Sequence, residues 1–180
     1  MLSGVAVGRD ALEALVARAQ EGDVAAFEQI VALEASNLFR VASAIVGPGD
    51  ANDMTQEAFV QAWRSLRKLR RPDQFLPWVR KILLNKCLNH LRDRSRHRTV
   101  SLDLTPTDPV QPRDPDRALD IAEALSMLPA RQRAVVALHY VADLPIREVA
   151  RQLGIPQGTA QSRLHGALRT LRSVLREETQ

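Results

Sequence analysis

Apolar residues recur at helical spacing along most of this chain, and the interruptions fall at glycine and proline. Asp10 opens a periodic stretch that ends at Gly22. Asp23 is placed to cap a second helix running to Val46, with Phe27, Ile30, Val31, Leu38, Val41 and Ile45 as inner positions; Gly47-Pro48-Gly49-Asp50 stops it. A third helix is predicted from about Asn52 to Leu69. Its inner face is Met54, Ala58, Phe59, Ala62, Trp63 and Leu66; its outer face carries Asp53, Gln56, Glu57 and Gln61. Arg71-Pro72-Asp73 breaks it, and a fourth helix follows from about Phe75 to Arg96 with Pro77 in its first turn. Between Thr99 and Asp116 the periodicity fails, and Pro106, Pro109, Pro112 and Pro115 stand among several aspartates. That composition reads as an extended, flexible linker. Asp114-Pro115 opens a fifth helix, and Pro129 separates it from a sixth, Ala130 to about Ala142.

The last fifty residues carry the sharpest pattern. Pro145 to Leu153 reads as a short helix, Gly154-Ile155-Pro156 as a tight turn and Gln157 to Leu175 as a longer helix. This is the spacing of a helix-turn-helix, whose second helix lies in the DNA major groove. Pro145 suits a first helical position, and Gly154 a left-handed residue just past a helix end. Ile146, Val149, Ala150 and Leu153 share one face. Ala160, Leu164, Ala167, Leu168, Leu171 and Leu175 form the apolar stripe of the longer helix, opposite Thr159, Ser162, Arg163, Gly166 and Arg169. Hydroxyls and guanidinia on that outer stripe can reach base edges and phosphates. The plain alternative is a helical hairpin with a solvated polar face; the small, basic, nearly acid-free stripe favours DNA. The fold class is therefore all-α: two small helical domains, 10–98 and 115–177, joined by a linker at 99–114, the second containing the helix-turn-helix.

Composition agrees with this. Of 180 residues, 45% are hydrophobic, enough for two cores; only 4% are aromatic, and β-branched residues never gather into alternating runs. Cys87 is the one cysteine, which excludes an internal disulfide and fits a reducing cytoplasm; its place in an apolar-periodic helix makes it a structural thiol. No continuous apolar run approaches membrane-spanning length and the N-terminus lacks signal-peptide order, so no membrane insertion is expected.

Charge is placed unevenly. Arg64, Arg67, Lys68, Arg70, Arg71, Arg80, Lys81, Lys86, Arg92, Arg94, Arg96 and Arg98 face only Asp73 and Asp93, so this stretch holds about +10 in a chain of net +4 and pI near 10.0. That is the electrostatic footprint of a nucleic-acid surface. At its start, Phe75 and Trp78 either stack on unpaired bases or cap the core between the third and fourth helices; the pattern leaves both open. The acidic, amide-rich face of the third helix suits a protein partner, but on the residues alone a solvated helix start is the simpler reading.

Taken together, these motifs resemble a family. Asp50-Ala51-Asn52-Asp53-Met54-Thr55-Gln56-Glu57-Ala58-Phe59-Val60-Gln61-Ala62-Trp63 is similar to the second conserved region of bacterial sigma factors. Phe75-Leu76-Pro77-Trp78-Val79-Arg80-Lys81-Ile82, then Asn85 and Leu91-Arg92, resembles its promoter-melting part. Leu128-Pro129-Ala130-Arg131-Gln132-Arg133 and Leu153-Gly154-Ile155-Pro156-Gln157-Gly158-Thr159-Ala160-Gln161-Ser162-Arg163-Leu164-His165 resemble the fourth region. The layout, from about Leu15 to Leu175, is that of the extracytoplasmic-function group. The resemblance implies a factor that binds core RNA polymerase and directs it to promoter DNA. It assigns polymerase docking to Asp53, Gln56 and Glu57, reversing the simpler reading of that face. It assigns the minus-ten element to Phe75, Trp78, Arg80, Asn85 and Arg92, and the minus-thirty-five element to Arg147, Thr159, Ser162, Arg163 and Arg169. An anti-sigma factor stays open as a further partner. Ala160 stands where the family commonly has Val, Gln161 where it has Lys, and Met54 where it has Leu or Val.

Two other classes compete. A helix-turn-helix regulator binding DNA alone explains the C-terminal half but leaves the basic fourth helix and the acidic face idle. An enzyme such as a nuclease finds no support: His90, His97, His139 and His165 show no metal-ligand spacing with one another or with Cys87, and no phosphate-cradling loop or nucleophile motif is present. His139 reads as packing. The expectation is a cytoplasmic non-enzyme without metal or cofactor.

Overall fold

Asp23 caps as its position implies: its side chain accepts the Ala26 N–H at 3.0 Å and starts a long helix. The computed structural model describes residues 8–101 and 121–177, and every regular element among them is helical. In order they are α1 (Arg9–Gln20), α2 (Val24–Val46), α3 (Pro48–Ser65), α4 (Phe75–Ser101), α5 (Ile121–Ser126), α6 (Ala130–Val136), α7 (Ile146–Leu153) and α8 (Gln157–Glu177). Short 3-10 turns at Leu66–Lys68 and Pro72–Gln74 join α3 to α4, and a π turn at Ala137–Val141 continues α6.

Three boundaries differ from the sequence expectation. The stop at Gly47-Pro48-Gly49-Asp50 shrinks to Gly47 alone: it takes φ +90°, and Pro48 then occupies the first turn of α3, where a missing N–H costs nothing. Pro145 is the residue before α7 rather than its first; its carbonyl accepts the N–H groups of Glu148 and Val149. α4 runs to Ser101, past its expected end at Arg96 and into the predicted linker. The rest of that linker, and the Asp114-Pro115 helix start, lie outside the described residues.

α1 to α4 bury Val16, Ile30, Leu38, Val41, Ile45, Phe59, Leu66, Phe75, Val79, Leu83 and Cys87 in one core, each large side chain contributing roughly 1.5–3 kcal/mol by leaving water. Phe27 packs on Trp63 at 4.9 Å between ring centroids and meets Phe59 edge-on at 6.3 Å. The Gln20 amide donates to the carbonyls of Leu66 and Leu69, tying α1 to the 3-10 turn that follows α3. By length and composition alone α2 could cross a membrane. Nine of its residues, from Ala26 to Val46, are buried in the bundle. Burial pushes the Cys87 thiol up to about 12, which leaves it inert.

α5 to α8 form the second unit. α7 packs on α8, and the small side chains of Ala150 on α7 and Ala160 on α8 are both buried. Gly154 sits at φ 64°, ψ 37°, and the Ile155 N–H returns to the Ala150 carbonyl, closing α7 in the left-handed manner glycine allows. The two units share a core. α2 packs on α5, α6 and the π turn, and α4 packs on α6 and α7, so Val135, Ala137, Leu138 and Val149 belong to the same buried cluster as Ile30 and Leu83. Periodicity did not foresee this contact.

Candidate nucleic-acid and docking interfaces

Helix geometry separates the residues expected to meet the minus-ten element. At about 100° per residue, Trp78, Lys81, Asn85, Asn89, Arg92 and Arg96 fall within one stripe of α4, while Arg80 points to the far side. The structure agrees: Lys81, Asn85, Asn89, Arg92 and Arg96 are exposed, and Trp78 is half-buried at the head of the stripe. The Arg92 guanidinium donates to Asn89 Oδ1 at 3.0 Å, which presets both side chains on that face.

Two of the expected residues lie elsewhere. Phe75 is fully buried, 6.1 Å from the Trp78 ring, and caps the core rather than offering a surface to bases. Arg80 is half-buried against the second unit. It helps line a cavity of about 200 Å³ with Glu34, Leu38, Leu76, Val141 and Asp143. Desolvation pulls its pKa down, offset by the carboxylates of Glu34 and Glu148. The basic footprint is also partly neutralised from within. Lys86 pairs with Glu57 at 2.8 Å, and Arg94 with Asp50 at 2.6 Å. His90 Nε2 stands 3.0 Å from the same Asp50 carboxylate. Together His90 and Arg94 hold that carboxyl below its ordinary value.

On α3, Asp53, Gln56 and Glu57 are all exposed, and they line a shallow depression with Val60, Gln61, Arg64 and Lys86. Val60 is 49% exposed, an apolar floor among charged walls. Sequence reading named the acidic rim but missed Val60 and Arg64, which the same spacing of three and four residues places on that stripe.

On the second unit, Arg147, Ser162 and Arg169 are exposed; Thr159 and Arg163 are half-buried at the start of α8. The Ser162 hydroxyl donates to the Thr159 carbonyl at 3.0 Å, so at rest it is held by its own helix. Gly166 leaves the outer stripe assigned to it. A Cβ there would sit 3.2 Å from Gln132 Nε2, so the glycine serves the packing of α8 on α6. His139 is half-buried, with Nδ1 2.8 Å from the Leu144 carbonyl, and fastens the loop that leads into α7.

Known proteins resemble both units. Residues 30–97 match the family described as Sigma-70 region 2, and residues 118–171 match Sigma-70, region 4. The chain is 30% identical over 175 residues to the ECF RNA polymerase sigma factor SigF of Caulobacter vibrioides, covering 92% of this chain and 94% of that one. It is 32% identical over 166 residues to the ECF RNA polymerase sigma factor SigE of Mycolicibacterium smegmatis, covering 86% of this chain but only 64% of the relative's length. Among solved structures it superimposes on CnrH, seen in complex with the cytosolic domain of CnrY, with a TM-score of 0.69 at 27% identity, over 92% of this chain and 97% of that one.

Proposed function

This chain belongs to the extracytoplasmic-function sigma factors of the sigma-70 family, and we propose that three of its helical faces divide the work of promoter recognition. It is a sigma factor that directs promoter-specific transcription rather than a regulator binding DNA alone. The exposed α3 face, with Asp53, Gln56 and Glu57 around Val60, docks on core RNA polymerase. The α4 stripe of Trp78, Asn85 and Arg92, extended by Lys81, Asn89 and Arg96, meets the minus-ten element. Arg147 on α7 and Thr159, Ser162, Arg163 and Arg169 on α8 meet the minus-thirty-five element. The division into units at 10–98 and 115–177 is part of this reading. The protein acts in the cytoplasm by binding, without a reaction or cofactor of its own. CnrH is held by the cytosolic domain of CnrY, and control by an anti-sigma factor is the matching proposal here.

The observation that carries the docking assignment is an acidic face left open on α3 while neighbouring α4 is basic. Glu57 is exposed and its pair with Lys86 lies in solvent, so losing that pair costs at most about 1 kcal/mol of fold. Glu57→Lys should therefore keep native helicity yet weaken core polymerase binding by about tenfold or more. Pull-down at unchanged affinity would remove α3 from the interface. Run-off transcription with core polymerase on a promoter library tests the function as a whole and yields the preferred bases.

A further inference from the structure

Gly166 and Gln132 meet at the rim of the recognition helix. At about 100° per residue, Gly166 stands roughly 40° round α8 from Ser162, between exposed Ser162 and half-buried Thr159. Ser162 and Arg169 are also its neighbours one turn either way along the helix. A side chain at this position would reach outwards from α8 itself. Glycine leaves the place open, and the Gln132 amide of α6 lies across it. A Cβ on Gly166 would stand 3.2 Å from Gln132 Nε2 and 3.8 Å from its Cδ. The backbone of Gln132 is fixed in the first turn of α6, where its N–H donates to the Pro129 carbonyl at 2.8 Å.

The two ends of that amide differ. Oε1 is enclosed and accepts from no donor. Nε2 is not enclosed in this way, and it donates to no acceptor among the described residues. Polar groups at this depth are ordinarily partnered, so Nε2 is an unengaged donor at the edge of the DNA-facing stripe. It offers one N–H side and no acceptor, whereas adenine reading takes both from the same amide. α6 itself stays outside the groove that α8 enters. A lone neutral donor in that place suits a phosphate oxygen.

We propose that Gln132 is a phosphate-backbone contact for the upstream promoter element, reaching the DNA across Gly166 and setting the register of α8 in the groove. This rests on the assignment of α8 to the minus-thirty-five element. An uncharged donor binds a phosphate without releasing a counterion. Its contribution is therefore independent of salt, unlike that of an arginine, and blind to base sequence.

The test is binding of holoenzyme, assembled from core polymerase and full-length variants, to a promoter selected by run-off transcription, measured over a range of salt. Gln132→Leu keeps a side chain of similar size and removes the donor. It should weaken binding about threefold to tenfold. The factor should be the same on every single-base variant of the upstream element and at every salt concentration. Arg172→Ala should instead lower the salt slope by about one. Gly166→Ala should match Gln132→Leu, because its methyl displaces the amide end, and the double variant should fall no further than either alone. Alanine favours a helix more than glycine does, so the thermal midpoint of Gly166→Ala should hold or rise while binding falls, which packing alone does not produce. Native affinity in Gln132→Leu, a loss that varies with base or salt, additive losses in the double variant, or binding that falls only in step with the thermal midpoint would each overturn the proposal. Arg163→Ala separates the two levels. If it weakens binding and Gln132→Leu does not, this contact alone is lost; if neither does, the minus-thirty-five assignment of α8 fails as well.

Discussion

Arg163 and Arg172 lie nine positions apart on α8, and the helix gives them different surroundings. Arg163 is half-buried near the turn, next to exposed Ser162 and one helical turn past Thr159; Arg172 is exposed towards the far end. A guanidinium placed at that depth on the recognition helix can make a bidentate contact with a guanine edge. Arg163→Ala should cost roughly 1–3 kcal/mol on the native upstream element, and the loss should shrink when one particular base is changed. Arg172→Ala should weaken all sequences alike. Holoenzyme binding across single-base variants of that element measures both. An equal loss on every variant for Arg163→Ala would make it a phosphate contact and leave base reading to Thr159, Ser162 or DNA shape. Single residues also mark where sequence stops short. Arg80 and Trp78 look equally eligible for DNA in a basic stretch, yet the helical repeat alone puts them on opposite sides of α4. Phe75 was ambiguous by nature, because an aromatic beside basic residues fits a core cap or a base stack equally well.

At the scale of elements, α3 and α4 are clamped by a small polar cluster. The Asp50 carboxylate near the start of α3 meets His90 Nε2 and the Arg94 guanidinium, both from α4. Those two groups lower its pKa below the ordinary 3.8, His90 contributing first and Arg94 after it. A carboxyl whose folded pKa is depressed adds stability that is fully present above the ordinary value and is lost as pH falls through the folded one. Acid should therefore loosen the α3–α4 pair below about pH 4, and Asp50→Asn should flatten that part of the curve of thermal midpoint against pH. Should the Asp50→Asn variant keep the native acid slope, other carboxylates carry it. Much of this level was legible in advance. Asp23 before an apolar run, Gly154 after one, and a 3.6-residue repeat in α2, α3 and α8 each have a local cause, so the elements and the helix-turn-helix could be read from neighbours in sequence. The misplaced ends have local causes too. Pro48 can open a helix as readily as a Gly-Pro-Gly run can end one, and Pro145 is equally at home one residue before a helix.

For the whole molecule, periodicity says which face of a helix is apolar but not what covers it. Val135 and Leu138 look like the private core of a small C-terminal unit, and only the folded chain reveals that they also join the cluster built by α2 and α4. The same limit hid the surroundings of Arg80, which lies in the field of Glu34 and Glu148, carboxylates more than a hundred residues apart in sequence. A shared core has a measurable consequence. Both tryptophans, Trp63 and Trp78, belong to the first unit, so their fluorescence reports its unfolding alone. Leu138 is fully buried in the π turn that packs on α2. Leu138→Ala leaves a cavity worth about 2–5 kcal/mol. If the units unfold as one, the substitution in the second unit must shift the tryptophan transition of the first by the same amount as the helicity transition of the whole chain. A tryptophan midpoint that stays put while helicity is lost earlier would mean two independently folding units. The shared cluster would then contribute little to the stability of the free protein.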